Sequence, residues 1–446
     1  MPDAAAPSFL AIAVPDPASL GRIEADLAPF KGGEAGPALT RLDDARYVVA
    51  RSVYKRLRLA QGLGGAVQVL RAIPGVARVD PLEADAVVRA MRDGLAREPA
   101  APSAAPAAPS SWNLDAVRAP AAWDLFPGGR AGMAWRGTRI AQLDTGYAPI
   151  PCFGPWSPQG QSDSMLADIG INVFDPGGGR PLDPLDPSGT PGHGTRIGSV
   201  IAGFEDGRFS GVAPRAAIVP YRVTNFVVID TLWNRNRLDL ALDHAVTHGA
   251  CSVVNVSLGD PCNPPRALGQ AIDRAYQQGI IICAAAGNVT SEVTYPGRHA
   301  RTVAAGGITP EDRPWTGGSR GPRVDICAPA QSVNRVRVFK DAAPGGYRWD
   351  VSQDEGDGTS YACAHLSAAA ALWVAFHGSA IEARYGRTWR RVEAFRAALR
   401  ASARVPSGWS RADFGAGILD IASLLQAPLP DPLALHFVAD VAEDDV

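Results

Sequence analysis

Four short strings in this 446-residue chain carry side chains able to cleave an acyl bond. Asp144 stands in Gln142-Leu143-Asp144-Thr145-Gly146, just past the apolar run Arg139 to Leu143. That run reads as a strand, which places the carboxylate beyond a strand's carboxyl end with a tight turn behind it. The same Asp-Thr-Gly triplet marks aspartic peptidases, but those need two carboxylates sharing a proton, and no second copy occurs. His193 lies in Thr190-Pro191-Gly192-His193-Gly194-Thr195, ahead of the apolar-periodic stretch Arg196 to Ala202. It is expected in the first turn of a helix, with glycines allowing close approach, where a neutral imidazole serves as general base. Ser360 follows Asp357-Gly358-Thr359 and precedes the small-residue helix Tyr361 to Trp373. A serine there can be an N-cap. Gly358 also permits a turn that presents the hydroxyl, and a helix N-terminus offers N–H groups to a developing oxyanion. Asn288 closes the run Ala284-Ala285-Ala286-Gly287-Asn288 and can aim its amide at the same oxygen.

The elements that must position these groups alternate. Strands are expected at Arg139 to Leu143, Ile218 to Val223, Ser252 to Val256 and Ile280 to Ala285, with helices at Arg196 to Ala202, Leu238 to His248 and Arg266 to Gln278. Such alternation predicts an α/β fold: a mainly parallel sheet with helices on both faces, and functional groups gathered at the strands' carboxyl ends. Ahead of it, Phe9 to Val14, Tyr47 to Arg51 and Val76 to Pro81 read as strands, with Leu39 to Asp43 as a further candidate. Pro17 to Phe30 and Gly65 to Ile73 read as helices. This order is that of a small α+β, ferredoxin-like domain. The Ala/Pro/Ser-rich stretch 98–111 has a linker's composition, and the Pro-rich, acidic segment 426–446 reads as a loosely held tail. The expected division is therefore 1–97, 98–111, 112–425 and 426–446.

The net charge of -2, with acids and bases interspersed, gives no global field that favours nucleic acid or an anionic membrane. The apolar runs Ile280 to Ala286 and Ala362 to Ala375 read as too short or too interrupted to span a bilayer. Met1-Pro2-Asp3 lacks a basic region and Phe9 to Val14 is shorter than a secretory apolar core. The expected location is cytoplasmic, with export left open. Of six cysteines, Cys283, Cys327 and Cys363 read as buried thiols, whereas Cys152, Cys251 and Cys262 lie nearer loops and are free to pair. His244 and His248 have the i, i+4 spacing of a zinc helix, but position 245 is Ala where a metallopeptidase carries Glu. The sequons at Asn255 and Asn288 abut apolar strands and are poor glycan acceptors.

Taken in order, Gln142 to Gly146, Gly192 to Thr195, Ala286 to Asn288 and Gly358 to Ser360 resemble the subtilase family of serine peptidases. Trp112 to Val117, Ser257-Leu258-Gly259, Tyr295-Pro296, Val324 to Pro329 and Phe414 to Asp420 extend the resemblance over nearly all of 112–425. It implies a serine endopeptidase with Asp144, His193 and Ser360 as triad and Asn288 with the Ser360 N–H as oxyanion donors. It also implies that Ser257, Leu258 and Gly259 pair with an extended protein or peptide substrate. Ala284, Ala285, Ala286, Tyr295 and Gly297 would line a roomy pocket for the residue before the cut, with Asp260 as a carboxylate at its rim. No organic cofactor is implied. Calcium is possible in the acidic loop Asp163 to Asp186, although Pro/Gly turns explain those acids as well. Residues 1–97 resemble the family's propeptide, most closely at Ala72 to Val79, and are expected to act as an intramolecular inhibitor. An extra helical stretch, Ala84 to Leu95, leaves open a segment that stays attached. Two rival readings are a catalytically idle scaffold that binds a peptide, and a dedicated maturation peptidase with one protein partner.

Overall fold

The computed structural model describes residues 9–31, 38–41, 46–49, 51–82, 111–135, 137–185, 189–228, 232–260, 266–288, 292–341, 346–353 and 356–439. In the N-terminal part, strands β1 (Phe9–Ala13), β2 (Leu39–Arg41), β3 (Arg46–Val49) and β4 (Arg78–Leu82) form an antiparallel sheet in the order β2-β3-β1-β4. Helices α1 (Leu20–Leu27) and α2 (Arg51–Ala72) supply Ile23, Leu27, Val53, Leu57 and Leu70 to its core against Leu10 and Ile12. The β-α-β-β-α-β order expected from sequence is present. Several boundaries differ. The third strand ends at Val49, and the second helix starts at Arg51 rather than Gly65. Gly64 and Gly65 disfavour a helix interior, which hides the first half of α2 from a propensity reading. The stretch Ala84 to Leu95 and nearly all of the linker lie outside the described residues.

The larger domain is built on six parallel strands. They are β5 (Arg139–Asp144), β6 (Ala217–Arg222), β7 (Val253–Val256), β8 (Ile281–Ala285), β9 (Val303–Ile308) and β10 (Ile326–Pro329), in the order β10-β9-β8-β7-β5-β6. Successive side chains point to opposite faces, and both faces are buried. Ile281, Cys283 and Ala285 of β8 join one apolar cluster, while Ile282 and Ala284 join the other. The interval from β5 to β6 holds helix α3 (His193–Ala202), and that from β6 to β7 holds α4 (Leu232–Thr247). Helix α5 (Arg266–Gln277) precedes β8. The hairpin β11 (Arg335–Lys340) and β12 (Tyr347–Ser352) follows β10 and packs on α3.

Helix α6 (Thr359–His377) crosses one face of the sheet against β7, β8, β9 and β10. By length and apolarity it could cross a membrane, contrary to the expectation from its His and Ser, yet it is the core helix of this domain and mostly buried. Its alanines let it approach the sheet backbone closely, and Trp373 anchors its far end against Phe395 of α7 (Trp389–Ser402), ring centroids 5.5 Å apart.

In the described part of the C-terminal segment, residues 427–439 are anchored rather than the loose tail expected. Arg301 donates to Val438 O from Nε (3.2 Å) and Nη2 (3.0 Å), and Val438 N donates to the Tyr276 hydroxyl at 3.1 Å. Phe437 packs against Tyr276 and Trp389, and Tyr385 Oη donates to Pro430 O at 2.7 Å. Proline-rich composition hid these anchors because they are single residues without periodicity.

Candidate active site

The four candidate residues lie at or just past the ends of four different elements, two strands and two helices. Asp144 is the last residue of β5 and His193 the first of α3. Close approach of these elements depends on Gly194, where a Cβ would stand 2.1 Å from Gly146 O. Gln142 Nε2 donates to Gly194 O and adds a second tie between strand and helix. The result is a buried pair: His193 Nδ1 lies 2.7 Å from Asp144 Oδ1, which also accepts from Thr145 N at 2.7 Å. Asp144 is 1% exposed and His193 6%. A carboxylate at Nδ1 favours the tautomer that carries its proton there, with Nε2 as the accepting nitrogen.

Ser360 is the second residue of α6 and is buried to 7% exposure. Its hydroxyl donates to Ser257 O at 3.1 Å, and the Ser257 hydroxyl donates back to Ser360 O at 3.0 Å. Asn255, fully buried on β7, carries the network deeper through Ser257, Cys363 and Ser367. Asn288 Oδ1 accepts from Thr359 N (2.8 Å) and Thr359 Oγ1 (2.7 Å). That bonding orients the amide, turning Nδ2 toward Gly358. Gly358 has φ +148°, and a Cβ built there would lie 3.3 Å from Asn288 Nδ2 and 3.8 Å from Ser360 N. The missing side chain thus leaves a space bordered by two N–H donors beside Ser360, an arrangement that can hold an oxyanion.

The residues proposed to hold substrate are only partly arranged as expected. Ser257, Leu258 and Gly259 follow β7, but Gly259 N donates to Val227 O at 3.1 Å, so the edge offered to a peptide is already paired at that point. Asp260 is 2% exposed and does not sit at a rim; its N–H and C=O both pair with Tyr295 and draw it inward. Ala284, Ala285 and Ala286 divide among three apolar clusters. Thr294, which sequence reasoning missed, takes up space left by the small residues. A Cβ on Gly259 would come within 2.7 Å of its Oγ1, and one on Gly287 within 2.7 Å of its Cγ2. Thr294 therefore fills the space that Gly259 and Gly287 leave open.

Among the described residues, no group of three or more His, Cys, Asp or Glu side chains is placed to hold a metal ion. In the acidic loop, Asp168 pairs with Arg180 at 2.8 Å, and Asp183 accepts three hydrogen bonds from the protein. Asp186 lies outside the described residues. Cys152 and Cys251 are buried free thiols rather than a bridge, as are Cys283, Cys327 and Cys363. Burial pushes all five up, Cys251 and Cys363 to about 12, so none is a ready nucleophile. Cys262 lies outside the described residues. His244 bonds the Tyr221 hydroxyl at 3.1 Å and stacks on His248.

The subtilase family profile matches residues 136–417, which is most of the chain. The chain belongs to the subtilase family. Its members are serine endopeptidases, and this chain is one of them in sequence and fold. Subtilisin BL of Lederbergia lenta is 29% identical over 265 residues, covering 58% of this chain and 82% of that relative. The alkaline protease of Alkalihalobacillus alcalophilus is 28% identical over 265 residues, 58% of each chain. Among solved structures, a protease from Pseudoalteromonas arctica superposes with a TM-score of 0.54 at 23% identity, covering 70% of this chain and 93% of that one. That last likeness is one of fold.

Proposed function

We propose that this subtilase hydrolyses peptide bonds through an acyl-enzyme formed on Ser360, with His193 as general base and then acid. Asp144 holds the imidazole's tautomer and stabilises its charged form. The observation that carries this reading is the buried 2.7 Å bond between Asp144 and His193, at the same sheet edge where α6 presents Ser360. In the resting site the Ser360 hydroxyl donates to Ser257 O. Rotation about χ1 turns it toward His193 Nε2, consistent with catalytic bonds that tighten only when substrate binds. The proton then passes from Oγ to Nε2, the carbonyl oxygen moves into the space above Gly358, and the leaving amine takes the proton back.

An extended protein or peptide substrate pairs with Ser257 to Gly259, and its entry displaces the Val227 contact at Gly259. The N-terminal domain, which has its own core, acts as an intramolecular inhibitor until the chain is cut within 98–111. Two measurements test these statements. A fluorophosphonate probe is expected to label wild type and not Ser360→Ala; equal labelling of both removes Ser360 as nucleophile. Incubation of purified protein is expected to produce a new N-terminus within 98–111 in wild type only, and an uncut, fully active chain removes the inhibitor role.

A further inference from the structure

Asp183 is a second carboxylate buried beside the Asp144–His193 pair, and the steps above give it no part. It is 2% exposed. Its Oδ2 accepts from Thr145 Oγ1 at 2.6 Å and from Gly192 N at 2.9 Å, and its Oδ1 accepts from Leu185 N at 2.8 Å. All three partners donate, a bonding set suited to the ionised carboxylate, which can only accept. Thr145 Oγ1 in turn accepts from Gly194 N at 3.0 Å. One hydroxyl and one carboxylate thereby join the residue after Asp144 to the residues on both sides of His193.

We propose that Asp183 is a positioning residue: through Thr145 it locks the turn behind Asp144 onto the first turn of α3. This rests on the reading of Asp144, His193 and Ser360 given above, although the locking itself is measurable without turnover. Burial is the main cause raising the Asp183 carboxyl, with the Asp144 charge adding and its three hydrogen bonds opposing. Tyr347 on β12 also faces it, its hydroxyl raised chiefly by burial and further by the Asp183 charge. On α3, the guanidinium of Arg196 is held at 2.8 Å by Pro191 O, beside Gly192.

The test uses Thr145→Val, Thr145→Ser and Asp183→Asn in the full chain, with two readouts. One is the low-field NMR resonance of the His193 Nδ1 proton, sheltered from exchange by its bond to Asp144. The other is kcat and KM, measured separately on a peptide substrate. Thr145→Val is expected to broaden or abolish the resonance and to lower kcat by about 10- to 100-fold with little change in KM, the cost of a misplaced base. Thr145→Ser, which keeps the hydroxyl, restores both. Asp183→Asn, which puts an amide that both donates and accepts where the carboxylate only accepts, is expected to broaden the resonance and lower kcat in the same direction as Thr145→Val. A folded Thr145→Val or Asp183→Asn with the wild-type resonance and kcat overturns the lock. Should Asp183→Asn not fold, the Thr145 pair still decides. Should wild type prove inactive, the active-site reading fails, while the resonance alone still upholds or overturns the lock.

Discussion

The two halves of the active site are held by different means. On the His193 side the connections run through charged or titratable side chains: Asp144 and Asp183 are both buried, and Thr145 is their relay. On the Ser360 side they run through neutral groups and backbone: Asn288 on Thr359, Ser257 on the Ser360 carbonyl, and the open space above Gly358. A neutral framework holds its geometry at any pH where the protein is folded. A framework of buried carboxylates is strong only while they stay ionised, because a lost charge leaves donors without an acceptor. The contrast implies that pH acts on activity through the histidine half, and on the serine half only through stability.

The largest effect that could break this contrast comes from the reacting groups themselves. His193→Ala and Ser360→Ala should each lower kcat roughly 10⁶-fold, and the double variant should be little worse, since groups that act as one unit do not add. A clearly additive double variant, measured by active-site-titrated kinetics, would mean that the halves work separately. Next in size, Asn288→Ala should cost about 10²- to 10³-fold in kcat while leaving the acid limb of the pH profile in place. A moved limb there would show that the serine half carries charge after all.

A smaller effect sharpens the contrast through stability. His365, five residues after Ser360 on α6, is fully buried between Tyr361 O (2.7 Å from Nδ1) and Asn113 Nδ2 (3.1 Å from Nε2). Burial lowers its pKa to about 4, whereas the unfolded chain protonates near the ordinary histidine value of about 6.5. Between these values the unfolded state binds more protons, so stability is complete above about pH 6.5 and falls as pH drops toward about 4, by up to about 1.4 kcal/mol per pH unit. Denaturant unfolding from pH 7 to pH 4 should show this slope, and His365→Gln should flatten it; an unchanged slope would assign the acid sensitivity elsewhere. The smallest effect is a control far from both halves. Phe437→Ala removes a half-exposed ring from the C-terminal strap and should lower stability by about 1 kcal/mol, with kcat unchanged within error in the same assays.

Much of the site was readable in the sequence because its residues sit in short strings with glycines at fixed offsets. Gly194 and Gly358 occupy positions where a Cβ would meet Gly146 O or crowd the Asn288 amide, so those strings could not be varied freely and stand out. Asp183 left no such mark. It lies in a Pro- and Asp-rich run whose acids look like turn formers, and only the fold reveals which carboxylate is turned inward. Thr294 was equally silent, since a threonine before Tyr-Pro-Gly carries no signal until Gly259 and Gly287 are placed against it. In the N-terminal domain the alternating apolar runs gave the element order, while Gly64 and Gly65 concealed half of α2. Prolines in the last segment concealed the anchors at Phe437 and Val438.

Sequence alone determined the α/β class, four of the six parallel strands and the candidacy of Asp144, His193, Ser360 and Asn288, because periodicity and close-packed glycines are local properties. Tertiary structure decided which of the remaining polar groups are buried together: Asp183 with Thr145, Ser257 with Asn255, His365 with Asn113, and Val227 across Gly259. Those pairings join residues from separate elements, and their energies depend on exclusion of water, which no local string of residues encodes.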